Sequence, residues 1–151
     1  MNKANYIPEN LYKQIVKAMP IPCVDAVIMS GGKFLLGKRV NQPLKNKWWL
    51  PGGRVFKNEP LEKAVIRKVR EETGLSGKII SQLGTEGAIF RTGPFGFPVH
   101  TINTVFLLKI SGKTLFELDA QHNEFKWFEQ IAPSWHPYIK KFLHQALKYH
   151  K

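Results

Sequence analysis

The chain has 151 residues, 43% apolar and 12% aromatic, which allows one compact domain with a full core and excludes a disordered polymer. Its 23 Lys and Arg against 11 Asp and Glu give a formal charge of +12, which favours an anionic partner. The basic residues are scattered apart from KKFLHQALKYHK at the C-terminal end, so a solvated surface accounts for most of the charge and a nucleic-acid patch is disfavoured. No apolar run approaches the ~20 residues needed to cross a bilayer, and the opening MNKANYIPENLYKQ lacks the apolar segment of a secretory leader, so the expected setting is cytoplasmic, without a membrane partner.

Residues 10–19 have helical spacing, with Leu11, Ile15 and Met19 on one face, and Pro20 and Pro22 end that helix. Residues 23–29 and 33–36 read as two strands across a Ser-Gly-Gly turn. Cys23, the single cysteine, cannot close an internal disulfide and reads as a small buried strand residue. After a PGGR loop, residues 60–73 read as a second helix, with Asn58 or Glu59 as its cap and Gly74 just past its end. Residues 78–91 and 99–110 are β-rich, 124–129 form a short strand whose Trp127 and Phe128 pack, and 136–150 form a closing amphipathic helix. Without repeats or linkers, residues 1–151 are expected to form a single α/β (α+β) domain, a mixed β-sheet sandwiched between α-helices.

The stretch GRVFKNEPLEKAVIRKVREETGL, residues 53–75, carries the chemistry. Gly52 and Gly53 allow a sharp turn and a close approach of a backbone carbonyl to a ligand. At 100° per residue, Lys68, Glu71 and Glu72 share an arc of about 100° on the helix that follows. Paired carboxylates beside a carbonyl make a hard oxygen site for Mg²⁺ or Mn²⁺, ions that bridge diphosphate oxygens. The competing structural reading is a solvated helix with pairs such as Arg67–Glu71 and Lys68–Glu72.

The spacing resembles the Nudix box, G-x5-E-x7-R-E-U-x-E-E-x-G-U, where U is a bulky aliphatic residue. Gly53, Glu59, Arg67, Val69, Glu71, Glu72, Gly74 and Leu75 fill eight of its nine fixed positions, and Lys68 stands where the ninth has Glu. In many members of that family this Glu binds metal or serves as base. Its replacement implies fewer metal ions, one in the simplest case, and a catalytic base located elsewhere.

Outside the box, FLLGKRVNQPLKNKWWLPGGRV resembles the GDP-mannose mannosyl hydrolase branch of the family, and YIPENLYKQIVKAMPIPCVD and AQHNEFKWF resemble it more loosely. That branch hydrolyses the sugar–phosphate bond at the anomeric carbon with inversion. The resemblance implies the Gly52 carbonyl, Glu72 and Gln121 as metal ligands and His122 as the base that activates water; Glu71, acidic where that branch can dispense with a carboxylate, departs from it and is a further candidate ligand. It implies that Arg39, Arg54 and Arg67 engage the diphosphate, that Asp25 lies near the leaving group or nucleotide, and that Tyr6 stacks on the base. It also implies a homodimer. Alternatives stand beside these roles: Glu124 as the base, Arg67 as a brace between the box glutamates, and Asp25 as an edge-strand residue facing water. The loop RTGPFGFPVH departs from the sugar-recognition region of that branch. Three functions compete: a nucleotide-sugar hydrolase, a Nudix pyrophosphohydrolase cutting the P–O–P linkage, and a nucleotide- or RNA-binding module.

Overall fold

A computed structural model describes residues 6–110 and 124–149. Its elements, in chain order, are α1 (Glu9–Ala18), β1 (Ile21–Ser30), β2 (Lys33–Lys38), β3 (Trp48–Trp49), β4 (Gly52–Arg54), α2 (Leu61–Thr73), β5 (Lys78–Phe90), β6 (Val99–Lys109), β7 (Phe125–Phe128) and α3 (Pro137–Lys148). The strands run in the order β3-β2-β1-β6-β5, with β4 paired to β1 and β7 to β2. The pairing of β1 with β6 is parallel and the other pairings are antiparallel, so the sheet is mixed as expected.

Alternation along the central strands builds the two core layers. Val24, Ala26 and Ile28 of β1, with Phe106 and Leu108 of β6, pack against Ala64, Val65 and Val69 of α2. Val27 and Met29, with Val105 and Leu107, face the other way onto Tyr138, Ile139, Phe142 and Leu143 of α3. The sheet is therefore enclosed by α2 on one face and α3 on the other. Trp127 joins the α2 layer and Phe128 the α3 layer, as the alternation of β7 requires. None of the helices among the described residues is long and apolar enough to cross a membrane.

Three local details differ from the sequence expectation. Strands β3 and β4, two and three residues long, were not foreseen because so short a segment has no readable period. Pro22 lies inside β1 rather than in the connection before it, its carbonyl accepting from Val55 N at 3.0 Å. The N-cap of α2 is Pro60, with no side-chain cap, because the Glu59 carboxylate is drawn instead to the Phe56 N–H and to Arg67. Gly74 closes α2 in the left-handed conformation (φ 73°), as its place past the helix suggested.

Phe142, 1% exposed, tests the α3 layer. Phe142→Ala is expected to lower unfolding free energy by about 3–5 kcal/mol in urea titrations, and a loss under ~1 kcal/mol would show that α3 does not seal this face.

Candidate active site

The site is built where β4 meets β1. The bonds from Ala26 N to Pro51 O (2.8 Å) and from Val55 N to Pro22 O (3.0 Å) lie at alternate pairs of this antiparallel ladder. Asp25 and Gly52 are thus a close, non-hydrogen-bonded pair, and the N–H and C=O of Gly52 both turn away from β1. On that outer side the Gly52 N–H donates to Glu72 Oε2 at 3.3 Å. A Cβ on Gly52 would lie 2.0 Å from Asp25 Oδ1 and 2.2 Å from the Val24 carbonyl, so only glycine fits.

Asp25 is buried in a central strand, which corrects its reading as an edge residue facing water. Its Oδ2 accepts a 2.5 Å hydrogen bond from the Tyr138 hydroxyl at the start of α3. The Tyr138 ring stacks on Trp49 at 5.2 Å and 3°. Burial pushes the Asp25 carboxyl up to about 7, the Tyr138 hydrogen bond opposing it and the neighbouring Glu72 adding to it. Burial likewise raises Glu72, against the pull of Lys68 and the Gly52 N–H.

Arg67 ties the loop to α2. Its Nε donates to Glu59 Oε2 (2.7 Å), its Nη2 to Glu59 Oε1 and the Arg54 carbonyl (3.0 Å each), and its Nη1 to Glu71 (3.2 Å). The guanidinium also lies 3.7 Å from the centre of the Phe56 ring. This fork holds the Glu59 carboxyl below the usual range. With its donors so engaged, Arg67 has the geometry of the brace rather than of a diphosphate ligand.

Arg39 follows β2 and donates from Nε to the Pro43 carbonyl at 2.6 Å. It lines two cavities, whose linings share Arg39, Asn41, Trp49, Leu50 and Gly52. The smaller, about 180 Å³, reaches Glu72 and Phe125. The larger, about 360 Å³, is walled by Tyr12, Asp25, Arg54, Phe90 and Asn103. Arg54 faces two aromatic rings, 5.6 Å from Tyr12 and 5.1 Å from Phe56. Cys23 also lines the larger cavity, and burial pushes its thiol up to about 12, far from thiolate chemistry.

Asp25, Arg39, Arg54, Gly52, Glu71 and Glu72 thus converge on one region. Tyr6 does not join them: it is 62% exposed and lines neither cavity, and the tyrosine at the larger cavity is Tyr12. Gln121 and His122 lie outside the described residues. Glu124 is exposed just before β7, its carbonyl accepting from Lys38 N at 2.7 Å, one residue from Arg39. Trp49, Tyr138 and Asn103 were missed in the sequence. The aromatic pair WW beside the PGGR loop was the available signal for Trp49, whereas Tyr138 and Asn103 carried none.

The oxygen donors suit a hard divalent ion. Glu72 and the outward Gly52 carbonyl adjoin each other, and Glu71 reaches the same cluster through Lys68. Among the described residues no set of three His, Cys, Asp or Glu side chains gathers to hold an ion.

The raised Asp25 gives a pH signature. Between about pH 4 and 7 the folded chain keeps a proton that the unfolded chain has released, so this contribution favours folding at low pH and is lost as pH rises through 7. Asp25→Asn is expected to flatten the fall of the urea midpoint between pH 5 and 8, leaving a residual slope from Glu72. An unaltered slope would show that Asp25 is ionised throughout.

Comparison with known proteins agrees with this geometry. The NUDIX domain family matches residues 19–146. The low-salt glycan biosynthesis protein Agl8 of Haloferax volcanii is 38% identical over 139 residues, covering 91% of this chain and 88% of that protein. The ADP-ribose pyrophosphatase of Methanocaldococcus jannaschii is 43% identical over 96 residues, covering 64% of this chain and 54% of that protein. The crystal structure of a MutT NUDIX hydrolase from Burkholderia pseudomallei superposes with a TM-score of 0.69 at 27% identity, covering 84% of this chain and 98% of that one. With its box spacing, its mixed sheet between two helices and these matches, the chain belongs to the Nudix hydrolase family.

Proposed function

We propose that this protein hydrolyses a nucleoside diphosphate sugar, GDP-mannose or a similar GDP-hexose, to the nucleoside diphosphate and the free hexose. The observation that carries this reading is Lys68, whose ammonium lies between Glu71 and Glu72 at 3.4 and 3.5 Å, where a carboxylate would complete a pyrophosphatase box. Two further features support it. The two cavities that share Arg39 and Gly52 in their linings suit a two-ended substrate whose diphosphate lies at those residues. A relative named for glycan biosynthesis fits a substrate carrying an activated sugar.

In this reading Gly52, Glu72 and Gln121 hold Mg²⁺ (or Mn²⁺), with Glu71 as an additional ligand. The bound ion supplies positive charge to the diphosphate oxygens. Arg39 and Arg54 add fixed positive charge for the departing diphosphate, and Arg39, partly buried, keeps that charge out of bulk water. His122 accepts a proton from water as the water oxygen bonds to the anomeric carbon and the carbon–oxygen bond to the diphosphate breaks. Asp25, held by Tyr138 at the wall of the larger cavity, borders the leaving group. A homodimer belongs to this reading through its resemblance to the mannosyl hydrolase branch.

A second reading, attack at phosphorus, is favoured by the relative named ADP-ribose pyrophosphatase and by Glu124, whose carbonyl accepts from the Lys38 N–H one residue before Arg39. In ¹⁸O-water with GDP-mannose and Mg²⁺, the first reading expects label in the free hexose, released as the inverted anomer. Label in a nucleoside monophosphate or sugar phosphate would establish the second. His122→Gln is expected to slow turnover by ~10²–10⁴-fold with Mg²⁺ binding intact; unchanged turnover would move the base to Glu124.

Glu72 gives a separate test of the metal assignment. Glu72→Gln is expected to lower kcat by at least ~100-fold at saturating Mg²⁺. Near-normal turnover would remove Glu72 from the ligand set.

A further inference from the structure

If the site works with a divalent ion, as the proposed function holds, Glu72 is its best-placed carboxylate, and both of its oxygens are already engaged. Oε2 accepts from the Gly52 N–H at 3.3 Å, and Oε1 lies 3.5 Å from Lys68 Nζ. Lys68 Nζ is also 3.4 Å from Glu71 Oε2, so one ammonium is shared by the two neighbouring carboxylates. The lysine stem is held from the other side by the loop: a Cβ on Gly53 would meet Lys68 Cε at 2.5 Å and Nζ at 3.1 Å. Only 20% of the Lys68 side chain is exposed, so backbone and carboxylates confine the charge instead of leaving it free in water.

A divalent ion bound to Glu72 would sit close to this ammonium, and at that range like charges repel strongly in a partly buried site. The repulsion falls when an anion enters between them. A diphosphate brings the required negative charge and offers oxygens to both cations at once. We propose that Lys68 is a built-in competitor for the metal: its ammonium holds Glu72 while no substrate is present, and releases that carboxylate when a diphosphate arrives. Metal and diphosphate then bind with positive coupling, each raising the affinity of the other by the same factor. Arg39 and Glu72 line the same cavity, whereas Lys68 lines neither cavity and reaches the carboxylate from one turn away on α2.

The test is Mn²⁺ titration of the full chain, followed by EPR of free Mn²⁺ without nucleotide and by water proton relaxation with GDP added. Lys68→Met is expected to bind Mn²⁺ about tenfold tighter or more than the wild type when nucleotide is absent, the scale set by removing a unit charge a few ångströms away. Arg70→Met removes the same charge from an exposed site on α2 and is expected to leave the affinity unchanged. Lys68→Gln makes the same comparison should the methionine variant fail to fold. GDP is expected to raise Mn²⁺ affinity in the wild type by a larger factor than in Lys68→Met. Equal Mn²⁺ affinity in wild type and Lys68 variants would overturn the competition while leaving the metal reading intact. A gain in Arg70→Met equal to that in Lys68→Met would also overturn it, since net charge alone would then suffice. Absence of protein-bound Mn²⁺ in every variant, with or without GDP, would overturn the metal reading together with the competition.

Discussion

The close packing of β4 on β1 at Gly52 is the constraint on which the rest of the site depends. Asp25 Oδ1 and the Val24 carbonyl fill the space a side chain would need, at 2.0 and 2.2 Å from its Cβ position. Because the pair is non-hydrogen-bonded, both polar groups of the Gly52 backbone turn outward to α2, where Glu72 meets the N–H. The Asp25 carboxylate, on the inner side, is fixed from α3 by Tyr138, 113 residues away in the chain. Sheet and both covering helices therefore meet around one residue. Arg67 secures the same junction from the loop, joining Glu59 and the Arg54 carbonyl to the helix that carries Glu72.

This packing also sets the electrostatics. Two carboxylates, Asp25 and Glu72, are raised by burial, Glu72 raises Asp25 further, and Arg39 lowers both. A site so arranged gains from an incoming cation near Glu72 and an incoming anion near Arg39, the pair of charges that a metal-bound diphosphate brings together. The surplus of Lys and Arg over the whole chain has a weaker, longer-range effect, drawing anions toward the surface.

Much of this was legible in the sequence because it is local. The box helix, its closing Gly74 and the convergence of Lys68, Glu71 and Glu72 follow from helical spacing within fifteen or so residues. The interleaving of strands and helices predicts a mixed sheet between helices, and the structure bears this out. The Asp in CVDAVIM was itself a signal, since a carboxylate inside a buried strand needs a partner. What could not be read was the identity of that partner: Tyr138 is brought in by α3, and no spacing rule connects it to Asp25. The same holds for Tyr12, which replaces Tyr6 at the cavity because α1 lies against the sheet with its Tyr12 side toward Arg54. Glu59 was expected as a cap by position, and the fork geometry of Arg67 outcompeted the helix end for it.

Gly52→Ala tests the account at its root. Circular dichroism and thermal unfolding would establish that the variant folds, and Mn²⁺ binding would be measured by EPR in the presence of GDP. The packing argument expects a folded but destabilised protein in which β4 is pushed from β1, with Mn²⁺ affinity reduced at least ~10-fold because Glu72 and the Gly52 carbonyl no longer face a common point. Wild-type stability and wild-type Mn²⁺ affinity in that variant would contradict it.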